Sequence, residues 1–118
     1  MGTLLLTSTG LSSPNVLNKF LEIIDGTKNK QVAIVTTAAE GKETNKYSQL
    51  ANKQFVGLGF SSVDFVDLET DPAKDLSLYD IVYVCGGNTF KLLKFARAAN
   101  FKNSVESLLK KGGVYIGV

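Results

Sequence analysis

Apolar residues along this chain fall into short solid runs separated by longer stretches with a helical repeat. Leu4-Leu5-Leu6, Val32-Ala33-Ile34-Val35, Ile81-Val82-Tyr83-Val84 and Val114-Tyr115-Ile116 are unbroken runs, as expected of parallel strands covered on both faces. They predict strands over 3–8, 31–37, 81–85 and 114–118. A further strand over 62–67 alternates Val63 and Phe65 with Asp64 and Asp67, a pattern for a sheet edge. Between the strands, Leu17, Phe20, Leu21 and Ile24 recur at i, i+3, i+4, i+7, one face of a helix. Tyr47, Leu50, Ala51, Phe55 and Leu58 predict the inner face of a second helix, starting near Glu43. The stretch 91–99 predicts a third, and Phe101, Val105, Leu108 and Leu109 a fourth.

The stops and starts agree with this division. Ser13 followed by Pro14 is a helix start, and Gly26, Gly59, Asn100 and Gly112-Gly113 are helix ends. Lys110 and Lys111 sit where the fourth helix has its negative end. The segment 68–80 is polar, contains Pro72, and reads as a crossing loop or at most a helical turn.

Strands alternating with helices predict an α/β fold: a doubly wound, mostly parallel five-stranded sheet in one domain over 1–118. With strand 62–67 at an edge, the predicted order is 3-2-1-4-5. That order places the topological switch between the first and fourth strands, beside Ser8-Thr9-Gly10 and Gly86-Gly87-Asn88. A ligand is expected there.

Composition narrows the function classes. The chain has 118 residues, 44% of them apolar and 20% charged, with a net charge of +2, which is ordinary for a globular protein. Its basic residues are scattered, so no basic stripe argues for nucleic acid. One cysteine, Cys85, permits no internal disulfide and fits a reducing compartment. The run Leu4 to Leu6 is too short for a signal peptide or membrane span. The expectation is a cytoplasmic protein with no membrane partner. There is no histidine, so the chain cannot by itself assemble a Ser-His or Cys-His pair, and a zinc site is not expected. No cofactor is implied.

The candidate chemistry lies in Cys85-Gly86-Gly87-Asn88-Thr89-Phe90. Two glycines at the end of a buried strand let backbone N–H groups face something placed above it. Asn88 or Thr89 can cap the helix that follows, whose positive end points at the same place. The turn reads either as a site for a carboxylate, phosphate or oxyanion, or as a βα turn that simply requires glycine.

Two stretches together carry a family resemblance. Gly86-Gly87-Asn88-Thr89-Phe90 followed by Leu92-Leu93, and then Gly113-Val114-Tyr115-Ile116-Gly117-Val118, resemble the dipeptidase E and cyanophycinase family of serine peptidases. The resemblance extends over the whole chain in element order, and it implies a half domain of the class I glutamine-amidotransferase-like fold. In that family the Tyr-Ile-Gly strand leads into the Ser-Ala-Gly nucleophile elbow, so the resemblance implies an N-terminal part ending just before the nucleophile. Gly87 would supply one oxyanion-hole N–H, with Gly86, Asn88, Thr89, Ser8 and Thr9 around the substrate. The nucleophile and its His partner are absent from the chain. The implied substrate is a small peptide, Asp-X dipeptides included, and the 118 residues alone are expected to be inactive. The alternative is a non-catalytic small-molecule-binding or interaction module of flavodoxin-like fold. The fifth strand, 114–118, is expected to be an apolar edge through which the chain self-associates or recruits a complementary fragment.

Other residues read as structural. Cys85 is a small packing residue. Tyr79, Tyr83 and Tyr115 belong to the core, and Asp64, Asp67, Glu69 and Asp71 to a solvated edge and loop. Thr36 and Thr37, at a strand's C-terminal end, read as local capping groups with a ligand contact left open.

Overall fold

In the computed structural model, residues 2–6, 14–24, 30–72 and 74–118 are described. Strands β1 (Thr3–Leu6), β2 (Gln31–Val35), β3 (Ser62–Val66), β4 (Ile81–Val84) and β5 (Val114–Gly117) form one parallel sheet. Helices α1 (Pro14–Ile23), α2 (Lys46–Gly57), α3 (Thr89–Ala98) and α4 (Phe101–Lys110) cover it, with 3-10 turns at Lys42–Thr44 and Leu76–Leu78. Phe20 and Ile24 with Ala51 and Phe55 place α1 and α2 on one face. Leu108 with Leu92, Phe95 and Phe101 places α3 and α4 on the other. The sheet is therefore doubly wound, as the sequence predicts.

The strand order is not the predicted 3-2-1-4-5. It is β1-β5-β4-β2-β3, with β3 at one edge as expected and β1 at the other. A central strand must be covered on both faces. β4 is buried at all four positions and β2 at every position after Gln31, and the two pair directly from Val32↔Ile81 to Val35↔Val84. β1 alternates instead: Leu5 packs on the core, while Leu4 and Leu6 are 55% and 76% exposed. The three leucines thus belong to a strand covered on one face, not two.

The same order corrects the expected open edge at 114–118. β5 pairs with β4 on one side and β1 on the other, so its ladder is occupied on both. Val114 and Ile116 are buried in the α1/α2 core.

That core is aromatic at its centre. Phe20, Phe55 and Phe60 meet with ring centroids 5.6–6.1 Å apart, and Phe55 also meets Tyr83 edge-on at 5.5 Å. Phe55 is fully buried; truncating such a ring costs about 3–5 kcal/mol. The inner face of α2 is Ser48, Ala51 and Phe55, whereas the predicted Tyr47 and Leu50 are exposed. Ser48 takes their place on that face, its hydroxyl buried 3.6 Å from the Cys85 sulfur.

Candidate functional site

From β2 the chain runs to β3 on one side and then returns to β4 on the other. The topological switch therefore lies between β2 and β4, where open α/β sheets bind ligands. The Gly86-Gly87 turn is at that switch, but beside the loop after β2 and not beside β1 as predicted. The Cys85 N–H donates to the Val35 carbonyl at 3.0 Å and the Asn88 N–H to the Ala38 carbonyl at 2.8 Å. Ser8 and Thr9 lie outside the described residues.

Gly87 is required by its backbone. Its φ is +145°, and a Cβ there would stand 2.0 Å from the Ala38 oxygen. Gly86 is less constrained, with its nearest contact at 3.2 Å from the Val118 oxygen. Both glycines, Asn88 and Thr89 are exposed. Among the described residues, no acceptor is found for the Gly87 N–H. Of the two capping candidates it is Asn88 that caps α3: its Oδ1 accepts from the Lys91 N–H at 3.0 Å. The positive end of α3 and the exposed residue Gly87, whose N–H has no acceptor among the described residues, therefore occupy one turn. Such an arrangement can stabilise an anion or a developing oxyanion.

Sequence reasoning missed the charged residues that tie the neighbouring loops together. Lys42, after β2, places its Nζ 2.6 Å from Asp67 Oδ2 and also bonds Glu69. Glu69 in turn meets Lys91 Nζ, in the first turn of α3, at 3.4 Å. The loops after β2, β3 and β4 are thus joined around the switch point. Lys42 adopts φ +50°, an uncommon backbone for a non-glycine residue. Burial acts to lower the Lys42 pKa, but the hydrogen bonds to Asp67 and Glu69 outweigh it and raise it. Burial would raise Asp67, yet Lys42 and the Glu69 N–H hold it below its ordinary value. Glu69 is lowered chiefly by its Lys42 hydrogen bond. The acids looked like solvated loop residues because their cation is distant in sequence, at Lys42.

The residues read as structural are buried or internally bonded. Cys85 is buried, and desolvation pushes its thiol pKa up, away from a thiolate. Tyr83 is pushed up to about 12 by burial. Tyr79 is raised by burial and by its 2.8 Å hydrogen bond to Asp64 Oδ2. Thr37 Oγ1 accepts from the Leu68 N–H at 2.9 Å, and the Thr36 N–H donates to the Val66 carbonyl. No helix among the described residues is long and apolar enough to cross a membrane.

Known proteins similar to this chain in sequence and shape point one way. An uncharacterized peptidase of Listeria monocytogenes is 29% identical, over 99% of this chain and 57% of its own. Peptidase E of Salmonella typhi is also 29% identical, over 99% of this chain and 52% of its own. A solved structure of a provisionally assigned peptidase E protein from Listeria monocytogenes EGD-e superposes with a TM-score of 0.78 at 27% identity, over 99% of this chain and 58% of that one. A peptidase from an acI-B1 Actinobacterium, 21% identical, shares the fold with a TM-score of 0.72 over 99% of this chain and 53% of that one. The chain thus spans about half the length of the curated relatives it matches. Residues 4–118 match the sequence model of peptidase family S51, and the chain belongs to that family.

Proposed function

We propose that this chain carries the oxyanion-binding side of a serine-type peptidase site for small peptides, Asp-X dipeptides among them. One observation carries the reading: Gly87, an exposed residue whose N–H has no acceptor among the described residues, lies at the switch point beside the start of α3. Membership of family S51 and the relatives named peptidase E support the same reaction class.

In such a hydrolysis a serine oxygen adds to the scissile carbonyl, and the carbonyl oxygen becomes an anion. A backbone N–H already aimed at that oxygen stabilises the transition state without having to reorganise, an effect worth ~10²–10³ in rate per donor. Gly87 supplies the donor, while Asn88 and Thr89 shape the turn and Gly86 keeps its rim low. The chain has no histidine, so a base of that type is not among its residues. The purified 118-residue chain is therefore expected not to hydrolyse Asp-X dipeptides. A buried, unpaired Cys85 fits action in a reducing cytoplasm.

The test is a chimera in which residues 1–118 replace the matching half of Salmonella typhi peptidase E, with folding checked by circular dichroism. Hydrolysis of Asp-X dipeptides above a nucleophile-deficient control is the expected result. A folded chimera with no turnover would overturn the reading.

A further inference from the structure

Away from the glycine turn, β3 lines a groove at its outer edge. Its backbone orientation follows from one bond. The Thr36 N–H donates to the Val66 carbonyl, so Val66 and, two residues earlier, Asp64 direct their backbone groups at β2. Alternation then turns the N–H and C=O groups of Val63 and Phe65 outward. Among the described residues β3 pairs with β2 alone, and no hydrogen bond to those four groups is made. Val63 and Phe65 line an open cleft of about 790 Å³ together with Lys42, Thr44, Thr70, Lys74 and Tyr79.

We propose that this groove binds an extended peptide by strand addition to β3, and that the peptide alternates apolar and basic residues. Strand addition draws affinity from main-chain hydrogen bonds and selectivity from alternate side chains. Val63 and Phe65 share the face of the α1/α2 core and are only partly buried, so they offer apolar neighbours to every second residue of an added strand. The opposite face offers Asp64, bonded to the Tyr79 hydroxyl, and Asp71 lines the same cleft. The groove as a whole holds four carboxylates (Glu43, Asp64, Asp67 and Asp71) against two ammonium groups, Lys42 and Lys74. Lys42 already serves Asp67 and Glu69. The slot is thus net acidic on a chain whose total charge is +2, and it complements lysine or arginine at the positions between the apolar ones.

The probe is a capped hexapeptide of alternating valine and lysine, compared with its valine–glutamate counterpart and with a valine–lysine peptide N-methylated on every second amide. Backbone NMR of the full chain reads the site. The expected result is shifts and slowed exchange at the Val63 and Phe65 amides with the valine–lysine peptide alone. D64N together with D71N should weaken binding roughly threefold to tenfold without unfolding the chain, since asparagine at 64 still accepts from Tyr79. Three results would each overturn the proposal: no binding, equal binding of the acidic or N-methylated peptide, or shifts confined to the β1 edge. Protection of Val63 and Phe65 that rises with protein concentration and needs no peptide would also overturn it, assigning the groove to a second copy of the chain.

Discussion

The Ala38 carbonyl oxygen and the Asn88 nitrogen lie 2.8 Å apart, joining the loop after β2 to the turn after β4. This contact leaves no room for a side chain on Gly87, because a Cβ there would stand 2.0 Å from the same oxygen. Glycine is thus required by the junction of two loops at the switch point, and not by the βα turn alone.

Substitution should separate the two glycines. Gly87→Ala must adopt a positive φ and displace the Ala38 loop, at a cost of about 1–3 kcal/mol. Gly86→Ala meets Val118, its oxygen nearest at 3.2 Å, with no positive φ to adopt, and should cost under ~1 kcal/mol. Urea melts of the two variants compare them directly. Equal midpoints would mean that the turn relaxes freely and that its geometry is not held for a purpose.

The ion-pair network gives a pH dependence with a definite sign. Asp67 and Glu69 have folded-state pKa values held below the ordinary ones. Their stabilisation is present above the unfolded carboxylate range, around pH 4, and is lost as pH falls through their lower folded values. Lys42 is raised, so its contribution persists below its unfolded value and fades only as pH climbs past it. A plateau between about pH 5 and 10 is expected. Lys42→Met should lower the plateau by no more than ~1 kcal/mol, since the groups are partly exposed, and should flatten the acid limb. An acid limb unchanged in the variant would show that other carboxylates set it.

Cys85 should behave as a buried group. It is 4% exposed, its thiol pKa is raised by burial, and its neighbour is the Ser48 hydroxyl. An aromatic disulfide reagent at pH 8 is expected to leave it unmodified in the native chain and to react within seconds in denaturant. Rapid native labelling would mean that the α2 face opens readily.

The sequence makes the elements and the glycine turn legible because both are local. Four solid apolar runs, one alternating run and a Gly-Gly-Asn junction determine themselves within a few residues. Strand order is a long-range property, and the misleading signal was Leu4-Leu5-Leu6. Three leucines in a row read as a two-faced strand, yet Leu4 and Leu6 are exposed. With β1 at the edge, the switch point lies between β2 and β4, and the residue packed against Gly87 is Ala38. The Lys42–Asp67–Glu69–Lys91 network was hidden for a similar reason. Its members meet only when three loops converge at one end of the sheet, and no spacing in the sequence brings them together.

The β1 edge carries the last prediction. Leu5 packs against the core shared with α1, whereas Leu4 and Leu6 point to the other face, 55% and 76% exposed. Stability should therefore follow a period of two. Leu5→Ala should cost about 2 kcal/mol or more, at the low end of core truncations because Leu5 is only partly buried. Leu4→Ser and Leu6→Ser should each cost less than ~0.5 kcal/mol. Association should follow the opposite pattern. Exposed leucines on a strand whose outer ladder is unpaired among the described residues favour pairing with another chain, so the wild-type chain is expected to self-associate through β1 and not through β5, which is paired on both sides. Sedimentation across a concentration series should show a weight-average mass that rises in the wild type and stays flat in the Leu4→Ser/Leu6→Ser double variant. A wild-type chain that remains monomeric, or a double variant that associates equally well, would move the contact away from β1.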